Sequence, residues 1–188
     1  GLILTNAHIT GRSKSKVRVA FKNYGFSPVK QVYVDPRIDI AIVQIDPKLI
    51  PIEAKEAKLK CDGEVPSGTS VAAFGHPKDL SFSASRGIVS KYRFFSGKDV
   101  IQTDTAINKG NSGGPLIDMN TGLVIGVNKS SYTKSSGLSF AVPSRNICII
   151  LNLLIEGKNP SPIKLPIRFA EDREAEDYLK VGSFYHEG

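Results

Sequence analysis

The sequence predicts an all-β fold: two β-barrels joined by a crossing segment, with a C-terminal α-helix docked on the second barrel. Three observations predict it. Most of the 188 residues read as short strands separated by turns, a spacing that favours a sandwich or a barrel. Three chemically complementary motifs lie too far apart for any local element to unite them, so the fold must do so across a cleft. A single apolar stripe at helical period begins near residue 144.

The elements follow in order. Val17, Val19 and Phe21 alternate with Arg18, Ala20 and Lys22, the pattern of a half-buried strand. Residues 28–34 and 39–45 supply further strands, and together these make a first barrel over 1–50. The stretch 46–68 is richer in Pro, Lys and Glu, and 51–68 is assigned as the crossing. Strands at 69–75, 82–92, 100–103, 116–118 and 123–128 build a second barrel over 69–143. The helix over 144–156 is expected to be capped by Ser144, with Pro143 just before it. Its Ile147, Ile150, Leu151 and Leu154 recur on one face, and Gly157 stops it. Beyond, over 157–188, Asn159-Pro160-Ser161-Pro162 and Pro166 read as an extended linker, and 171–180 as an exposed helical turn or two.

The chemistry begins at Gly110-Asn111-Ser112-Gly113-Gly114-Pro115. Glycines around a serine remove bulk from beside its hydroxyl and free the backbone to aim N–H groups at a developing oxyanion. Alone, this string also suits a tight turn between strands. Upstream, however, stand Leu4-Thr5-Asn6-Ala7-His8 and Asp35-Pro36-Arg37-Ile38-Asp39-Ile40-Ala41. A serine needs a base to take its proton, histidine titrates near neutrality, and a buried carboxylate fixes the imidazole tautomer. Ser112 is therefore the candidate nucleophile, His8 the general base and acid, and Asp39 the orienting group. The order His, Asp, Ser is that of chymotrypsin-like enzymes, with separations of 39 − 8 = 31 and 112 − 39 = 73 residues. The candidate oxyanion hole is Gly110, Asn111 and Ser112.

Composition narrows the alternatives. The formal charge of +7 is spread over strands and loops. Arg12-Ser13-Lys14-Ser15-Lys16, the densest basic stretch, reads as a solvated turn, and no nucleic-acid motif accompanies it, so no nucleic-acid partner is expected. No apolar run is long enough to span a bilayer. Gly1 is not a natural start, so the absence of a leader says little about export. The two cysteines do not make a disulfide framework; Cys148 falls on the apolar side of the helix, Cys61 in a polar loop, and both thiols are expected free. His76 reads as a plain loop histidine, and no metal site or cofactor is expected.

The blocks Leu4-Thr5-Asn6-Ala7-His8, Asp39-Ile40-Ala41-Ile42-Val43, Gln102-Thr103-Asp104, Ala106-Ile107-Asn108-Lys109-Gly110-Asn111-Ser112-Gly113-Gly114-Pro115-Leu116 and Gly137-Leu138-Ser139-Phe140-Ala141-Val142-Pro143 resemble the HtrA/Deg family of trypsin-like serine proteases over roughly 1–156. The resemblance implies a chymotrypsin/trypsin-like double β-barrel, a cofactor-free endopeptidase acting on unfolded or damaged proteins, and a homo-oligomer, usually a trimer. A periplasmic or organellar location is implied in the same way. The chain departs from the family at Lys109, where Pro is common. It also opens seven residues before His8, where the family has earlier strands, so the expectation is either an absent N-terminal part or an abbreviated first barrel. A PDZ domain commonly follows in the family; the 188 − 157 = 31 residues after Gly157 cannot complete one.

By the same resemblance, Ala106, six residues before the nucleophile, lies at the base of the primary specificity pocket. It carries no charge, which implies a preference for aliphatic or small apolar side chains. Leu138 and Phe140 are candidate walls, and Gly137 to Ala141, with Ser139 among them, is a candidate strand for pairing with extended substrate. Asn111 stands where digestive relatives carry Asp, so activation by a freshly cut N-terminal amine is not expected. A second reading keeps the fold but makes the protein a resting, chaperone-like binding module. A third keeps the chemistry but narrows it to one partner protein.

Overall fold

The structure, a computed structural model, describes residues 1–76, 83–95, 97–129, 138–156 and 158. Its N-terminal half is built around β5 (Ile40–Ile45), which lies between β1 (Leu2–Thr5) and β4 (Val29–Asp35) in a three-stranded antiparallel sheet. The uninterrupted run Ile-Ala-Ile-Val-Gln-Ile is what a strand covered on both faces requires. Ala41 and Val43 pack with Ala7, Val32 and Val34 on one side. Ile40 and Ile42 pack on the other side against Val127, Val142, Ile147, Ile150 and Leu154. Each fully buried isoleucine of this kind contributes about 1.5–3 kcal/mol of transfer free energy.

The C-terminal half is a closed antiparallel barrel of six strands in the order β10-β11-β8-β7-β6-β9. They are β6 (Ser70–Gly75), β7 (Ser83–Phe95), β8 (Lys98–Thr103), β9 (Pro115–Asp118), β10 (Val124–Lys129) and β11 (Ser139–Pro143). Inward residues Val71, Ala73, Val89, Ile101, Leu116, Ile125 and Ala141 fill it. Helix α2 (Ser144–Ile155) then lays Ile147, Ile150 and Leu154 into the seam between the barrel and β5. No helix among the described residues is long and apolar enough to cross a membrane.

The all-β architecture with a C-terminal helix agrees with expectation, and four details differ. The first half is an open sheet plus a two-stranded ribbon of β2 (Val19–Ala20) and β3 (Phe26–Ser27), not a closed barrel. The strand read over 17–21 shrinks to two residues because a 3-10 turn at Lys14–Lys16 ends at Val17 and the partner β3 is equally short. Ser144 does not cap α2; buried in the seam, its hydroxyl donates to Val124 O at 2.8 Å and ties the helix to β10.

The cysteines are also not free. Cys61 and Cys148 form a disulfide with Cα atoms 5.6 Å apart. The crossing segment does not wander off the barrel: Lys60 N donates to Val124 O, Val124 N donates to Lys58 O, and Leu59 bridges Val124 in parallel. That pairing delivers Cys61 to the flank of α2, where Cys148 is half-buried rather than in the core. The tail after 156, apart from Lys158, lies outside the described residues.

Candidate functional site

Three consecutive residues of the N-terminal half converge on one acid. His8 sits in the single-turn helix α1 (Ala7–Thr10), directly after β1. Asp39 sits directly before β5, and the register Thr5↔Ala41 brings the two strand ends side by side. Asn6 Nδ2 and Ala7 N donate to Asp39 O at 3.0 and 3.2 Å. His8 N donates to Asp39 Oδ1 at 3.0 Å, and His8 Nδ1 lies 2.8 Å from Oδ2 and 3.1 Å from Oδ1. Asp39 has φ of +63°, in the left-handed region that Asp tolerates better than bulkier residues. Its side chain is 9% exposed while the imidazole is 46% exposed. The carboxylate is thus shielded, and the ring is held by Nδ1 with its remainder open.

Ser112 belongs to the turn before β9, in the closed barrel. Its neighbours are bonded to the barrel: Gly113 N donates to Asn128 O at 2.9 Å, and Asn128 N donates to Gly114 O at 2.8 Å. Asn128 Nδ2 adds a bond to Pro115 O at 3.0 Å. Gly113 has φ of +81°, and any Cβ there would run into Thr5 Oγ1 and Ile9 Cδ1. The serine turn therefore lies directly against the segment that carries His8.

The candidate oxyanion donors divide. Asn111 N–H is committed to Asn108 O at 2.9 Å within the turn, which withdraws it from that role. Gly110, with φ of +106°, turns its carbonyl to accept from His76 N at 2.9 Å. The buried Asn111 side chain donates to Ala106 O at 3.3 Å and so braces the loop floor from below.

The candidate substrate-binding residues also divide. Ala106 is exposed, and its carbonyl accepts from Ser85 Oγ at 2.8 Å. Leu138 is half-buried directly before β11. Ser139 is buried, and its hydroxyl accepts from Ile107 N at 3.2 Å. Phe140 is buried and stacks on Phe95 with ring centroids 5.1 Å apart, on the opposite side of the strand from Ala141 in the barrel core. Phe140 and Ala141 pair with both β10 and β8, so the strand read as a docking edge for substrate has no free edge at those residues. Gly137 lies outside the described residues.

Sequence reasoning gave no role to four residues near the acid or the serine turn. Asn6 was visible within its motif but unassigned. Asn128 and Lys129, at the end of β10, carry no motif signal; nor does Lys98 on β8. Lys129 Nζ lies 3.5 Å from Asp39 Oδ2, and its side chain is 18% exposed. Burial, and next the charge of Lys129, pull the Lys98 ammonium below the ordinary lysine range, while Asp39 and Asp35 pull it the other way.

A separate apolar crevice of about 580 Å³ runs between β1, residues 56–59 and α2. It borders Gly113, but neither His8, Asp39 nor Ser112 lines it.

Comparison with known proteins adds an independent line. The family model described as a trypsin-like peptidase domain matches residues 1–127. Serine protease HTRA1A of Danio rerio is 39% identical over 156 residues, covering 78% of this chain and 31% of the relative. Protease Do-like 1, chloroplastic, of Arabidopsis thaliana is 36% identical, covering 94% of this chain and 42% of the relative. A probable periplasmic serine endoprotease DegP-like of Pseudomonas putida is 38% identical over 150 residues, 76% of this chain and 30% of the relative. The chain thus spans between 30% and 42% of the length of these relatives. Among solved structures, the HtrA-type protease AlgW with decapeptide superposes with a TM-score of 0.72 at 32% identity, covering 85% of this chain and 50% of that one. The serine endoprotease from Yersinia pestis does so with a TM-score of 0.70 at 29% identity, covering 84% of this chain and 55% of that one.

Proposed function

Because this chain belongs to the trypsin-like peptidase domain family, we propose that it is a serine endopeptidase that cleaves unfolded or damaged proteins. The observation that carries the reading is the shielded carboxylate of Asp39, which grips both the main chain and the ring of His8. That arrangement does what an orienting acid must do: Nδ1 carries the proton, Nε2 is left with its lone pair, and the imidazolium that forms is stabilised.

In the proposed reaction, Ser112 Oγ attacks the substrate carbonyl as its proton passes to His8 Nε2. The backbone N–H groups of Gly110 and Ser112 receive the oxyanion. The proton then moves from Nε2 to the leaving amine, and water repeats the sequence on the acyl-enzyme to release the second product. The contact of Gly113 with Thr5 and Ile9 supports placing the hydroxyl beside the imidazole. Ala106, exposed and uncharged, supports an apolar primary pocket, with Leu138 at its edge.

The wider biology is read from the relatives. Their names describe periplasmic and chloroplastic proteases, and a disulfide between Cys61 and Cys148 suits an oxidising compartment, so we place the protein in a periplasm or an organelle lumen. A homotrimer is the assembly that the family resemblance supports.

The test is direct. Ser112→Ala is expected to reduce hydrolysis of a casein-like unfolded substrate by about 10⁶-fold while leaving the fold intact. A fluorophosphonate probe is expected to label the parent and not the variant. Unchanged hydrolysis by Ser112→Ala removes Ser112 from the mechanism.

A further inference from the structure

The oxygen of Asp39 closest to His8 also faces a cation. Asp39 Oδ2 is 2.8 Å from His8 Nδ1 and 3.5 Å from Lys129 Nζ. Lys129 closes β10, and its cross-strand partner is Phe140 on β11. Val127 and Val142, the next pair on the same side of that ladder, lie in the seam against β5. The ladder thus delivers an ammonium across the seam between the halves, with little of its side chain exposed.

We propose that Lys129 is a positioning residue that shares the Asp39 carboxylate with His8 and thereby sets the pH range in which His8 acts as a base. This rests on the protease reading above, but its central measurement does not need hydrolysis. The physical argument is one of charge. When His8 takes up a proton, the carboxylate stabilises the new cation; a second cation on the same oxygen draws on that negative charge and repels the imidazolium. A mostly buried ammonium acts more strongly here than one in solvent, because salt and water screen it less.

Among the described residues, the surrounding charges do not cancel it. From β8, Lys98 interacts electrostatically with Lys129, Asp39 and Asp35, and its own positive charge acts in the same direction. From β4, Asp35 is buried, and its carboxylate is engaged by the Arg37 main-chain N–H at 2.8 Å and by the Arg37 guanidinium at 3.1 Å. β1 carries no titratable side chain, and the one on α2 apart from the disulfide cysteine, Arg145, pairs with Glu64 and Asp99. Among the described residues, Lys129 pairs with Asp39 alongside the histidine.

The experiment follows the pH dependence of kcat/KM on an unfolded substrate for the parent, Lys129→Met and Lys129→Arg. Lys129→Met is expected to move the acid limb to higher pH by about one unit. Lys129→Arg, which keeps the charge, is expected to restore the parent profile. Lys98→Met is expected to move the limb in the same direction by less, which keeps the idea testable should Lys129→Met fold poorly. In parallel, the His8 imidazole is titrated by proton NMR in the Ser112→Ala background. There the same upward displacement is expected in Lys129→Met whether or not the parent hydrolyses anything. Loss of Ser112-dependent hydrolysis in the parent would sink the protease reading alone. Coincident imidazole titrations in the presence and absence of the Lys129 charge, or an equal displacement in Lys129→Arg, would overturn the role of Lys129.

Discussion

Asp39 holds His8 twice, accepting from its main-chain N–H at 3.0 Å and facing its Nδ1 at 2.8 Å. The first bond fixes where the histidine is, and the second fixes how its ring is turned.

Asp39→Asn separates these roles. Asn tolerates the left-handed backbone of this position, with φ of +63°, so the chain trace is preserved. The amide oxygen still accepts one bond, but the charge and the tautomer control are gone. Hydrolysis is expected to fall by about 10⁴-fold with the melting temperature little changed. A fall below tenfold, measured on a peptide substrate, contradicts an orienting role for Asp39.

Gly113 is one of the places where the two halves touch. Gly113→Ala adds left-handed strain and drives a methyl group into Thr5 and Ile9. The expected loss is about 2–5 kcal/mol in urea unfolding. Gly122→Ala, at φ of +71° with open space around it, carries the strain alone and is expected to lose about 1–2 kcal/mol. Equal losses would mean that the contact across the seam contributes nothing.

The Cys61–Cys148 bridge spans 87 residues of sequence. Closing a loop of that length in the unfolded chain corresponds to about 3–5 kcal/mol of stabilisation. Thermal melts with and without reductant, repeated on Cys61→Ser, are expected to show that loss. A melting temperature unmoved by reductant argues against the bridge.

Lys98 gives a pH test of stability. Its ammonium is pulled below the ordinary range in the folded chain, chiefly by burial, so the folded state gives up this proton earlier than the unfolded state. The charged lysine therefore weakens the fold at neutral pH, and the penalty fades as pH rises through the lowered value. Lys98→Met is expected to raise the melting temperature slightly at neutral pH, solvent screening keeping the gain small, and the gain shrinks in alkali. A variant that melts lower at neutral pH refutes this sign.

Local patterns carried much of the fold. The apolar run of β5 and the helical stripe of Ile147, Ile150 and Leu154 each report burial directly, because burial is what places those residues there. The disulfide was not legible: Cys148 occupies a position in α2 that suits a small apolar residue, and its partner is fixed by a crossing segment pairing with β10, which no periodicity encodes. The motif around Ser112 announced a turn, but the commitment of Asn111 N–H to Asn108 O is a matter of dihedral angles. Lys129 stayed hidden for a related reason: a lysine at the end of a strand reads as solvated until the other half of the molecule is laid against it.

The proposed base and its acid sit at the ends of a small open sheet, whereas the proposed nucleophile rides on a cylinder whose six staves are all paired. An open sheet frays more readily than a closed one, so gentle warming or dilute urea should part the couple from their serine before the cylinder gives way. On the proposed mechanism, hydrolysis would then stop while the cylinder stays intact, and resume once three short strands re-form.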